Sequence, residues 1–156
     1  MSKKRIWIAV VLSLAIKGFA AVRGDQAMYV GGTYTSIPEK TEGRLNTSSE
    51  ASALFSSKKG EISIPYKSIN SLEYGQKAGR RVGVAVAVSP VALLSKKRKH
   101  YVSITFADAA GARQSAVFEL SKGTVHSVVT ILETRSGKKV EFDSDDAKKH
   151  YEKEAK

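Results

Sequence analysis

Residues Tyr101 to Leu120 read YVSITFADAAGARQSAVFEL, and the alternation in this stretch decides the fold. Val102, Ile104 and Phe106 alternate with Tyr101, Ser103 and Thr105, the period of a strand with one apolar face. Asp108-Ala109-Ala110-Gly111 supplies turn chemistry, an Asp that can bond its own backbone followed by a Gly. Gln114 to Leu120 then returns, with Ala116, Phe118 and Leu120 on one side. The segment is predicted to be an antiparallel hairpin.

Downstream the period changes. Val125, Val128, Val129 and Leu132 fall at i, i+3, i+4 and i+7, which makes one apolar stripe on a helix. Ser121 is the predicted N-cap and Gly137 the predicted stop, with Lys138 and Lys139 at the negative end. His126 lies beside the stripe and reads as a boundary or surface residue. Val140 to Phe142 can add a short extended piece. Residues 143–156 mix both charges with few apolar groups and are expected to be a charged C-terminal tail, either a frayed helix or disordered.

Upstream, Tyr29–Tyr34, Gly43–Thr47, Ala53–Ser57, Glu61–Ile64 and Ile69–Tyr74 are short strand candidates. Lys58-Lys59-Gly60 reads as a turn, and Pro65 limits its strand to an edge or a bend. The expected fold is mainly β with one helix, an α+β arrangement: a small bent antiparallel barrel with a C-terminal amphipathic helix plugging its open end.

The first residues, MSKKRIWIAVVLSLAIKGFAAVRGDQ, look like an export signal. Lys3, Lys4 and Arg5 precede the short apolar run Ile6–Ile16, and small residues at Gly18 and Ala20 suit cleavage after Ala20. The run is too short to span a bilayer, which needs roughly 20 residues. Residues 1–20 are therefore expected to be a signal peptide, residues 28–142 the domain, and the compartment periplasmic or extracellular. The chain has no cysteine, which removes disulfides, thiolate metal sites and cysteine nucleophiles.

The strand order, the run Ile64-Pro65-Tyr66-Lys67-Ser68-Ile69-Asn70-Ser71-Leu72, the strand Ala116–Leu120 and the helix ending Arg135-Ser136-Gly137-Lys138-Lys139-Val140 resemble the bacterial branch of pleckstrin-homology-like and GRAM-like domains, as found in exported bacterial proteins. The resemblance spans about Tyr29 to Phe142 and carries no catalytic motif. It implies a seven-strand bent barrel capped by a C-terminal helix, serving as a binding module for lipid head groups or proteins. Phosphoinositide binders of this superfold carry bases between their first two strands. Here that region, about Thr35 to Arg44, has only Lys40 and Arg44, offset by Glu39 and Glu42, which argues against such binding there.

Between the strand candidates lies VGVAVAVSPVALLSKKRKH, Val82 to His100. Val82, Val84, Val86 and Val88 alternate with small residues as in a strand. Gly83 and Ala87, four apart, suit helix packing equally. Pro90 should break either element. Lys77, Arg80 and Arg81 precede this stretch, and Lys96, Lys97, Arg98 and Lys99 close it. One reading makes residues 82–94 buried core or a homo-oligomer contact. Another makes Val84, Val86, Leu93 and Leu94 an interfacial element whose flanking cations meet an anionic lipid surface or an acidic protein. Nucleic acid is disfavoured, because only Tyr74 and Tyr101 could stack bases nearby. The formal net charge of +11 fits an anionic partner.

Catalytic constellations with correct spacing are not evident. His100, His126 and His150 match no HExxH-type pattern, no P-loop or GxSxG occurs, and Asp143, Asp145 and Asp146 lack the Gly and distant Glu of a calcium loop. The expectation is a non-enzymatic module with no cofactor and no metal.

Overall fold

The computed structural model describes residues 25–76 and 99–155. Eight strands form one curled, half-barrel sheet: β1 (Asp25–Gly32), β2 (Thr41–Asn46), β3 (Ser52–Ser57), β4 (Gly60–Pro65), β5 (Ile69–Gly75), β6 (His100–Ala107), β7 (Arg113–Leu120) and β8 (Val140–Phe142). Their spatial order is β4-β3-β2-β1-β7-β6-β5-β8. Two meanders, β1 to β4 and β5 to β7, are thus joined where β1 pairs antiparallel with β7. The 3-10 turn Tyr66–Ser68 carries the chain from one meander to the other.

The predicted hairpin is present, with His100 opposite Leu120 and Ala107 opposite Arg113. Asp108 is its turn residue: one carboxylate oxygen accepts the Ala110 and Ala112 N–H groups, both at 2.9 Å, and the other accepts the Gln114 amide at 2.8 Å. The Gln114 bond, with the backbone bonds behind it, holds the Asp108 carboxyl below its ordinary range.

The inner face of the sheet is apolar because the period-2 positions are. Tyr29, Phe55 and Phe118, all fully buried, pack with ring centroids 5.2 to 6.3 Å apart. The sheet alone would leave that face wet, and helix α1 (Val125–Ser136) covers it with Val125, Val128, Val129 and Leu132. Arg135 in its last turn donates to the Thr47 and Ser49 carbonyls and lies 5.4 Å over the Tyr66 ring, tying the helix to the β2–β3 loop. A second cluster, Val30, Tyr101 and Val117, is buried on the opposite face of the sheet.

Close approach accounts for Gly32. A side chain at Gly32 would put its Cβ 2.0 Å from the Ser115 carbonyl oxygen on β7, just past the bulge between Tyr29 and Gly31. The predicted helix stop is borne out for a different reason. Gly137 adopts φ 70°, and its N–H bonds the Glu133 carbonyl. No atom stands within 4 Å of where its Cβ would be, so Gly137→Ala meets only the left-handed backbone cost. It should lower stability by about 1 kcal/mol, read as a shift in the chemical-denaturation midpoint.

Several expectations change. Helix α1 starts at Val125 with Thr124 as N-cap. Ser121 instead closes a turn, its carbonyl accepting the Thr124 and Val125 N–H groups. The sheet has eight strands where seven were expected, because Val140–Phe142 adds to β5 in parallel. The charged segment after Phe142 forms a capped helix, α2 (Asp145–Glu154), where a frayed helix or a disordered tail was expected. Ser144 caps it by accepting the Ala147 N–H, with Asp145 and Asp146 in its first turn. Its inward stripe is unusual in content: Ala147 is buried, and His150, Tyr151 and Glu154, at i+3, i+4 and i+7, are partly buried, two of them able to carry charge. The predicted signal, residues 1–20, and the segment 77–98 lie outside the described residues.

Candidate functional site

The predicted contact residues Lys77, Arg80, Arg81, Val84, Val86, Leu93, Leu94, Lys96, Lys97 and Arg98 all lie in the 77–98 segment, outside the described residues. The structure gives the base from which that segment runs. It leaves β5 after Gly75 and Gln76 and re-enters at Lys99 and His100, and Gly75 is paired directly with Tyr101. Both ends therefore sit side by side at one end of the sheet.

Lys99 is the one predicted contact residue described, and it is already engaged. Its ammonium lies 2.9 Å from the Glu119 carboxylate on β7. The same carboxylate faces Tyr101. Burial pushes the Tyr101 phenol up to about 12, with the Glu119 charge adding to it. Lys99 therefore offers less free charge than its position in the basic run suggests.

Glu119 also lines an open groove of about 990 Å³ on the outer side of β1, β2 and β3. Lys40, Arg44, Lys58 and Lys59 border this groove, with Glu39, Glu42 and Glu119 among them. Pairing of Gly43 with Ser57 brings the Lys58-Lys59 turn beside Lys40, which sits at φ 57°. The sequence reading identified Lys40 and Arg44 but took Lys58 and Lys59 as a turn alone. The outward alternation Glu42, Arg44 was a legible signal, but only strand pairing adds the second pair of lysines. Four bases against three acids make a mixed surface and set up no strong anion field.

The three histidines are far apart in sequence and come together in space. His100 on β6, His126 on α1 and His150 on α2 gather around Tyr151 and Glu154. The His100 and His150 rings are 6.0 Å apart, and the His126 and Tyr151 rings 4.0 Å. Among the described residues, no group of three His, Asp or Glu side chains is arranged to hold a metal ion, and no helix is long and apolar enough to cross a membrane. Asn46 accepts from the Ser48 N–H at 2.8 Å, so its side chain shapes the β2–β3 turn.

The fold and this end of the sheet define a class: a mostly β half-barrel domain with, among the described residues, two helices, and a basic segment linking two adjacent strands. No protein-family model matches the chain, and no curated protein matches it.

Proposed function

We propose that this protein is an exported, non-enzymatic binding module of the pleckstrin-homology-like type that meets an anionic membrane surface through the segment 77–99. One observation carries the reading. The chain has 26 basic and 15 acidic residues; four bases lie in residues 1–20 and seven in residues 77–99, leaving 15 bases against 15 acids elsewhere. Beyond the predicted signal, the whole positive excess is confined to one connection between two adjacent strands. A neutral scaffold that concentrates its charge in one place is suited to charge-based docking. The curled antiparallel sheet and the helix following its last hairpin support the pleckstrin-homology-like assignment. The eighth strand and second helix depart from it.

Each base near an anionic surface contributes about 1 kcal/mol, so the six other than the engaged Lys99 give several kcal/mol, screened by salt. The protein should co-sediment with vesicles containing phosphatidylglycerol at low salt, not with phosphatidylcholine vesicles, and should be released at high salt. Equal binding to both vesicles, or to neither, would sink the reading.

The alternative is a structural or self-assembling protein in which residues 82–94 are core or a homo-oligomer contact. The burial of Val30, Tyr101 and Val117 on the sheet face away from the helices favours it. Absence of vesicle binding together with a dimer in sedimentation velocity would select it.

A further inference from the structure

The C-terminal helix meets the sheet through a cluster built around a single carboxylate, Glu154. Glu154 ends α2, where the helix dipole is negative and a carboxylate is disfavoured. Its side chain is nonetheless nine-tenths buried. Lys122, in the turn before α1, reaches one Glu154 oxygen at 3.1 Å, and His150 Nδ1 lies 3.4 Å from the same oxygen. His100 Nε2, on β6, lies 3.6 Å from the other. His100 Nδ1 is bonded at 2.8 Å to the Tyr74 hydroxyl on β5. The neutral tautomer that fits has Tyr74 donating to Nδ1 and Nε2–H facing Glu154.

We propose that this cluster is an acid-released latch: with His100 neutral it holds α2 against β5 and β6, and protonation of His100 frees the helix from the sheet. The argument is one of charge count. At neutral pH one carboxylate faces one fixed cation, Lys122. Protonation of His100 adds a second positive charge, with the His150 ring 6.0 Å away and His126, whose ring lies 4.0 Å from that of Tyr151, on the α1 side. One carboxylate already engaged by the exposed Lys122 does not offset the cost of burying a second positive charge on His100, whose side chain is itself buried. The remaining groups facing the cluster give little relief. Tyr74 and Tyr151 stay neutral because burial raises their phenols. Asp143 and Glu133 act on those tyrosines and are not among the influences on His100.

The direction of the titration agrees. Burial lowers the His100 pKa from an ordinary 6.5; Glu154 opposes this, while His150, Lys122 and His126 lower it further. An imidazole depressed in the folded state adds stability above pH 6.5, which is lost as pH falls toward the folded value. Burial tends to raise the Glu154 pKa, but the Lys122 bond and the neighbouring cations outweigh it, so the net shift is downward. Glu154 thus loses its contribution only further into acid.

The test is hydrogen exchange of the full chain between pH 7.5 and 5, corrected for intrinsic exchange rates. Protection across Asp145–Glu154 should fall below pH 6.5, by up to tenfold per pH unit for each proton taken up on opening, while β6 and β7 keep theirs. His100→Asn, which preserves an acceptor for Tyr74, should flatten that fall. Protection of α2 that is independent of pH, or that falls in step with the sheet, would overturn the latch, as would an unchanged slope in His100→Asn. A second measurement needs no variant. The His100 ring carbons, followed by NMR, should titrate below 6.5, and a midpoint at or above 6.5 overturns the proposal.

Discussion

Neutralising Lys96, Lys97 and Arg98 together, as glutamines, is expected to weaken binding to phosphatidylglycerol vesicles by roughly two orders of magnitude and to leave the fold unchanged. The magnitude follows from about 1 kcal/mol for each base at an anionic surface and tenfold in affinity for every 1.4 kcal/mol. Lys99 is left in place for a structural reason. It is paired with Glu119, so removing it would strand a carboxylate beside Tyr101 and confuse loss of docking with local damage. Lys99→Gln alone should cost little binding, since its charge is already shared, and about 0–1 kcal/mol of stability, the usual worth of a partly exposed pair. Vesicle co-sedimentation measures the first effect, and an unaltered denaturation midpoint checks that the triple variant is folded. Unchanged vesicle binding in the triple variant would refute the charge-based mechanism.

The largest effect on stability is expected from Phe118→Ala. Phe118 lies mid-β7, fully buried, with the Phe55 ring 5.2 Å and the Tyr29 ring 5.9 Å away. Its partners come from β1 and β3, and a sheet backbone cannot collapse inward to refill the volume. The loss should be about 3–5 kcal/mol, against a total of about 5–15 kcal/mol for a typical domain. Phe142→Ala, at the half-buried sheet edge on β8, should cost clearly less. Guanidinium unfolding of the two variants checks this order, and a Phe118→Ala loss below about 1 kcal/mol would contradict the core assigned to the half-barrel.

The hairpin from Tyr101 to Leu120 and the helix at Val125–Ser136 were legible because their signals are local. Alternation at period 2, an Asp–Gly turn and an i, i+3, i+4, i+7 stripe each act over a few residues. The second helix was half legible. Ser144 with Asp145 and Asp146 is a sound N-terminal signal, but the stripe that follows contains His150 and Glu154 where apolar residues announce burial, so the segment resembled a solvated tail. The groove was legible only in part, since Lys40 and Arg44 acquire Lys58 and Lys59 as neighbours through the pairing of Gly43 with Ser57.

The sequence by itself determined the strands of the central hairpin and the helix that follows it, because propensity and periodicity are properties of neighbours along the chain. It also determined where the excess charge resides, since its confinement to residues 1–20 and 77–99 is a matter of counting. Only the tertiary structure decided that β1 meets β7, that the 77–98 connection has both ends at one end of the sheet, and that His100, His126, His150 and Glu154 share one cluster. Those facts rest on contacts between residues up to some 90 positions apart, set by which apolar faces bury against one another, and no local pattern in the chain encodes them.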